Sequence, residues 1–190
     1  MMMDTVNIPI LLGTARKGRK SERVARLLEE ILSSQDGVKT QIVDVRELGY
    51  RETIPPWGDG GVSERETEWK RIMDKADGLW LVVPEYNRGY PGELKLALDS
   101  LGFEQYAGKP VAFCGVSSGA FGGSRVIVHM QQIVTYLKMV VVPDHLYVSH
   151  VDDAFDDSGI LKDESLRKNA IKTAEKLRSY AVALKSINLE

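Results

Sequence analysis

A single cysteine, Cys114, in a chain of 190 residues excludes an intrachain disulfide. It lies within the apolar run VAFCGV, the setting of a buried structural thiol rather than a reactive one. No apolar run reaches the roughly 20 residues that a membrane span needs. The first residues, MMMDTVNIP, lack the basic start and apolar core of a secretory signal, so a cytoplasmic location is expected. Charge of one sign is also scarce. With 25 Lys and Arg against 27 Asp and Glu, the net charge is −2, which leaves no basic footprint for nucleic acid and no polybasic face for a membrane. A small-molecule partner is therefore expected. The three histidines, His129, His145 and His150, have no metal-ligand spacing such as HExxH. The acidic stretch 152–164 fails as a calcium loop: with Gly159 at the sixth position, Ala154 stands first and Ser165 twelfth, where acidic ligands are required. No metal is expected. There is no internal repeat or low-complexity linker, and no Ser-His-Asp arrangement can be argued from the sequence.

What is present is a regular alternation. Apolar runs (NIPILLG, TQIVDV, GLWLVVP, PVAFCGV, MVVVP) are each followed by an amphipathic run, the last being DESLRKNAIKTAEKLRSYAVALKSI. A βα unit repeated five times predicts an α/β fold occupying one domain over residues 1–190. The expected architecture is a three-layer, doubly wound, five-stranded parallel sheet with the flavodoxin-like strand order 2-1-3-4-5. Val24, Leu27, Leu28 and Ile31 form an apolar stripe on the first helix, and Leu166, Ala170, Ala174 and Leu177 one on the last. Ser63 with Glu66 has capping-box spacing, and Asp163 is placed to cap the last helix. In such a sheet ligands lie beyond the carboxyl ends of the strands. The loops after the first, third and fourth strands meet there, and they carry the unusual chemistry.

The first loop is GTARKGRKS, Gly13 to Ser21, leading directly into a helix. The free N–H groups and positive dipole end of that helix, the Thr14 and Ser21 hydroxyls and the Arg16 guanidinium suit a phosphate monoester. Arg19 intrudes between Gly18 and Lys20 and breaks Walker A spacing. Arg16, Lys17, Arg19 and Lys20 together exceed what one phosphate needs; the surplus is expected at the surface or against a second phosphorylated ligand. The second loop is PEYNRGYPG, from Pro84. Backbone groups of Glu85, Tyr86 and Asn87 can reach the polar edge of a flat heteroaromatic ring, Tyr86 supplies an apolar surface, and Pro84 stiffens the approach. Pro91 is expected at the first position of the next helix. The third loop is GVSSGAFGGSR, Gly115 to Arg125. Its glycines allow close approach of backbone to a planar ligand, and Ser117 and Ser118 can donate to the ring's far edge. A phosphate cradle, a ring-edge contact and a glycine platform are the needs of a flavin mononucleotide.

On the GTAR…S loop, on PEYN followed by PG, LK and ALD, and on the G…GG pattern before a long helix, nearly the whole chain resembles the NADPH-dependent FMN reductase family of flavodoxin-like proteins. Two departures are plain: Glu22 stands where members often carry Asn, and Leu96 replaces the usual Asn after LK. The resemblance implies that Thr14, Arg16 and Ser21 hold the FMN phosphate, that Pro84, Glu85, Tyr86 and Asn87 line the isoalloxazine, and that Ser117, Ser118 and Gly119 flank its other edge. It implies hydride transfer from NADPH or NADH to bound FMN and then reduction of a small acceptor in a ping-pong cycle, with no protein nucleophile. Quinones, azo compounds, metal oxyanions and free flavin are the acceptors it allows. It also implies a homodimer or homotetramer. The Gly/Pro-rich segment 54–62, with its aromatic tip, is read either as lying at the site's rim or an interface or as a long connection. The alternative is a flavodoxin-like electron carrier or flavin-binding module without nicotinamide turnover. The small net charge and the absence of a T-x-T-G-x-T phosphate loop weigh against it.

Overall fold

A computed structural model describes residues 5–53, 56, 67–156 and 158–187. In chain order the elements are β1 (Val6–Asn7), β2 (Ile10–Leu12), α1 (Ser21–Ser33), β3 (Val38–Lys39), β4 (Ile42–Asp44), the one-turn α2 (Val45–Leu48) and α3 (Glu68–Lys75). There follow β5 (Leu79–Pro84), α4 (Gly92–Asp99), β6 (Pro110–Val116), α5 (Ser124–Tyr136), β7 (Val140–Val141), β8 (Leu146–Val148) and α6 (Glu164–Lys185).

All strand pairs are parallel. Six strands form one sheet in the order β4-β2-β5-β6-β7, with β8 also paired to β6, while β1 and β3 pair as a separate two-stranded unit. This corrects the expected five strands in the order 2-1-3-4-5. The difference has local causes. Pro9, which has no N–H to give a ladder, separates β1 from β2. Beside it, the Thr40 hydroxyl donates to the Ile8 carbonyl at 2.7 Å, between β3 and β4. At the far edge β7 pairs with the start of β6 (Pro110, Val111); past Pro143 the chain returns as β8 on its end (Cys114 to Val116).

Alternation along the two central strands builds two cores, one per face. Leu79, Leu81, Val83, Val111 and Phe113 pack with Trp69 and Met73 of α3, Leu94 and Leu98 of α4 and Val126, Met130 and Val134 of α5. Trp80, Val82, Ala112, Cys114 and Val116 pack with Val24, Leu28 and Leu32 of α1 and Ala170, Ala174 and Leu177 of α6. Both stripes expected on the first and last helices thus face the sheet. Large aromatics enter the core with their polar tips satisfied: Trp69 Nε1 donates to the Ala97 carbonyl at 3.0 Å and the Tyr106 hydroxyl to the Leu98 carbonyl at 3.1 Å. Cys114 is fully buried, and burial pushes its thiol pKa up, which makes it inert.

Asp163 caps α6, its carboxylate accepting from the N–H groups of Ser165 (2.8 Å) and Leu166 (3.1 Å). Asp163→Ala is expected to cost about 1 kcal/mol, read as a lower urea midpoint, with Asp163→Asn close to wild type. Helix α3 is capped by Thr67, whose hydroxyl accepts from Lys70 N; the Ser63–Glu66 box lies outside the described residues, as does all of segment 54–62 except Pro56. Pro91 is the N-cap of α4 rather than its first residue, with φ −63° and ψ 143°. No described helix is long and apolar enough to cross a membrane.

Candidate functional site

The ends of β2, β5, β6 and β8 are tied side by side: Gly13 N–H donates to the Val82 carbonyl (3.0 Å), Glu85 N–H to Val116 (2.9 Å) and Ser117 N–H to Val148 (3.0 Å). The loops that leave them enclose a crevice of about 330 Å³. Arg16, Ser21, Pro84, Glu85, Tyr86, Ser117 and Ser118 line it, together with Arg19, Lys20, Val116, Val151 and Asp152. Of the expected site residues, Thr14, Asn87 and Gly119 are not part of this lining.

The phosphate-type loop ends at Ser21, the first residue of α1, which is 2% exposed. Its Oγ is buried without a hydrogen-bond partner among the described residues. The N-cap, Lys20, contributes no side-chain cap. The helix therefore presents uncapped N–H groups and an unpaired hydroxyl to the crevice, the donor set of an anion site. Thr14 is fully buried, and its hydroxyl is occupied: it lies 2.9 Å from the Tyr86 hydroxyl and accepts from Arg16 N at 3.2 Å. Arg16 is exposed, with its Nε donating to the Tyr86 hydroxyl at 3.1 Å.

Arg19 is neither a surface charge nor a contact for a second phosphate. It is 7% exposed and turns inward, donating through NH1 to Asp44 Oδ1 at 2.8 Å, through NH2 to Asp44 Oδ2, and through NH1 to the Thr14 carbonyl. The Asp44 carboxylate also accepts from Arg46 N (2.9 Å) and so caps α2. Burial alone pushes the Asp44 pKa up, but the Arg19 hydrogen bonds, the Arg46 N–H and the two guanidinium charges together hold it below the usual value. Arg46 in turn donates to the Arg16 carbonyl at 3.2 Å. Nothing in the spacing of the basic loop marks this brace. Its only sequence signal was an acidic residue ending the strand beside the one that feeds the basic loop.

In the second loop, Tyr86 and Gly89 exchange both backbone hydrogen bonds at 2.9 Å, and Asn87 (φ 49°) and Arg88 (φ 67°) between them are left-handed. This two-residue turn with both central φ positive has the type I′ pattern. Asn87 is exposed at its tip. Glu85 Oε1 accepts from Arg125 NH1 at 3.2 Å, and Oε2 is buried without a partner among the described residues. The Arg125 guanidinium stacks 4.4 Å from the centre of the exposed Phe121 ring. In the third loop, Ser117 Oγ accepts from Gly119 N at 3.0 Å, and Ser118 and Gly119 are exposed. Among the described residues no group of three or more His, Cys, Asp or Glu could hold a metal ion.

Residues 6–153 match the family model described as NADPH-dependent FMN reductase. A quinone reductase of Pseudomonas putida is 34% identical over 178 residues, covering 86% of this chain and 89% of its own. An NAD(P)H-dependent FMN reductase of Pseudomonas aeruginosa is 32% identical over 172 residues, covering 88% and 90%. Among solved structures, the flavoenzyme FerB of Paracoccus denitrificans, an NAD(P)H:(acceptor) oxidoreductase, superposes with a TM-score of 0.70 at 19% identity over 95% of this chain and 98% of that one. The chain belongs to the NADPH-dependent FMN reductase family and is an oxidoreductase with FMN as cofactor and NAD(P)H as co-substrate.

Proposed function

We propose that the crevice beyond β2, β5 and β6 holds FMN and that the chain reduces quinones with NAD(P)H. The observation that carries this reading is the buried, unpartnered Ser21 Oγ at the uncapped start of α1, beside Arg16. These residues fit a phosphomonoester: N–H groups and a hydroxyl on one side and a guanidinium on the other. Glu85 Oε2, also unpartnered, fits a donor on the same ligand, a ring N–H or a ribityl hydroxyl. Pro84 and Tyr86 then line one side of the ring, and Ser117 and Ser118 flank its other edge. Thr14 acts from behind, through Tyr86 and Arg16, and Asn87 and Gly119 serve as turn residues that set the loops.

Held by Ser21, Arg16 and Glu85, FMN would supply the redox chemistry, carrying reducing equivalents from the nicotinamide to the acceptor. The protein's work is to hold, orient and exclude water. NADPH and the acceptor use the one crevice in turn, so ping-pong kinetics are expected. The quinone follows the Pseudomonas putida relative; azo compounds, metal oxyanions and free flavin remain within the proposal. A cytoplasmic, single-domain protein assembled as a homodimer or homotetramer completes it. The exposed rings of Phe103 and Tyr136, 5.5 Å apart beside an apolar groove of about 600 Å³, support the assembly.

The test is a visible spectrum of the purified protein with FMN, before and after anaerobic NADPH. Bound flavin that bleaches on addition of NADPH is the expected result. Flavin that binds and does not bleach would favour an electron carrier, and no binding would remove the site.

A further inference from the structure

We propose that Tyr86 is a positioning residue: its hydroxyl aims Arg16 at the cofactor phosphate and so sets the preference for phosphorylated over unphosphorylated flavin. The inference rests on the reading that the crevice binds FMN. Tyr86 is read from its residue type as a ring contact, yet its hydroxyl reaches back to the first loop. It lies 2.9 Å from Thr14 Oγ1 and accepts from Arg16 Nε at 3.1 Å. Thr14 Oγ1 also accepts from Arg16 N, so the tyrosine, the threonine and both ends of the arginine form one connected set.

Each part of the set is held from outside. Thr14 is fully buried, and its carbonyl is gripped by Arg19. Tyr86 is fixed by its reciprocal backbone bonds with Gly89. Arg46 holds the Arg16 carbonyl at 3.2 Å. Arg16 itself is exposed, and a long exposed side chain would otherwise sample many rotamers. The bond at Nε restricts that sampling while leaving both terminal nitrogens without a protein partner among the described residues. A guanidinium held at Nε with NH1 and NH2 free is set for two parallel hydrogen bonds to a phosphate. Arg16 and Ser21 line the same crevice, so the aimed fork and the uncapped start of α1 serve one anion.

The experiment measures dissociation constants of FMN and riboflavin, by flavin fluorescence, for apo wild type, Tyr86→Phe, Arg16→Ala and the double variant. Wild type is expected to bind FMN more tightly than riboflavin. Tyr86→Phe keeps the ring, so riboflavin affinity should stay within about twofold while FMN affinity falls about tenfold, the loss of one hydrogen bond to a charged group. In the Arg16→Ala background, Tyr86→Phe should change FMN affinity no further, because the hydroxyl acts only through the arginine. Equal losses for both flavins would overturn the proposal and return Tyr86 to a ring-contact role. Additive losses of the two substitutions would overturn it as well. No preference for FMN in the wild type would instead overturn the phosphate reading beneath it. Should Tyr86→Phe fold poorly, Tyr86→Leu is compared in the wild-type and Arg16→Ala backgrounds: the ratio of FMN to riboflavin affinity is expected to fall only where the arginine is present, and an equal fall without it would overturn the proposal.

Discussion

Arg19→Ala is expected to lower the unfolding free energy by about 3–5 kcal/mol, because it leaves the Asp44 charge and the Thr14 carbonyl in a nearly dry place without their partner. The side chains of Arg19 and Asp44 are 3% and 13% exposed, so water cannot replace the lost hydrogen bonds cheaply. For a chain of this size the melting temperature should fall by roughly 10 °C. Arg19→Met combined with Asp44→Asn, which removes both charges and keeps an N-cap for α2, should recover part of the loss. The pair also sets an acid limit. The folded Asp44 pKa is lowered, so its stabilising contribution is fully present above the unfolded value near 4 and is lost as pH falls through the folded value beneath it. A urea titration series from neutral to acid pH should show a shallower acid limb in Arg19→Ala than in wild type. An unchanged midpoint at neutral pH would mean that the brace is not stabilising.

Gly115→Ala is the second large effect, expected at about 3 kcal/mol of destabilisation. A Cβ there would lie 2.5 Å from the Gly122 carbonyl oxygen, 2.9 Å from that of Gly123 and 3.0 Å from Ile127 Cδ1. The two carbonyls cannot retreat easily. Gly122 and Gly123 hold φ of +56° and +78°, and a Cβ on Gly123 would itself meet Val116 N at 2.8 Å. The start of α5 is thus seated on the end of β6 by glycine against glycine. Any displacement moves Ser117 and Ser118, so FMN affinity should drop together with stability. Gly119→Ala is the control: its Cβ meets only Ser117 Oγ at 3.5 Å, and it should melt near wild type. Equal melting temperatures for the two variants would show that the close approach is relieved elsewhere.

The alternation of apolar and amphipathic runs was enough to place the two central strands and the helices that cover them, since Leu79 to Val83 and Val111 to Val116 can be satisfied only between two layers. It could not show where the edge strands break. Pro9 and Pro143 interrupt ladders whose partners are fixed by tertiary packing, and LYV is too short to carry a period. In the candidate site, the residue types marked three loops whose residues line one crevice, because hydroxyl, guanidinium and glycine at strand ends have few other uses. They could not tell an outward arginine from an inward one. Arg16 and Arg19 are three residues apart in the same basic loop, and what separates their roles is Asp44, 25 residues beyond Arg19 on a neighbouring strand. Tyr86 was legible as an aromatic of the crevice, and its hydroxyl's partner 72 residues earlier was not.

The turn after β5 closes on itself through two backbone hydrogen bonds, with Asn87 and Arg88 in the left-handed region. Arg88 in that region carries a conformational strain of roughly 1–2 kcal/mol relative to an ordinary backbone. That cost falls on folding. On the proposed binding of FMN beside this turn, a loop ordered beforehand would ask little conformational entropy of the binding step, so cofactor affinity would be spared an ordering penalty and the folded state's stability margin would bear it instead.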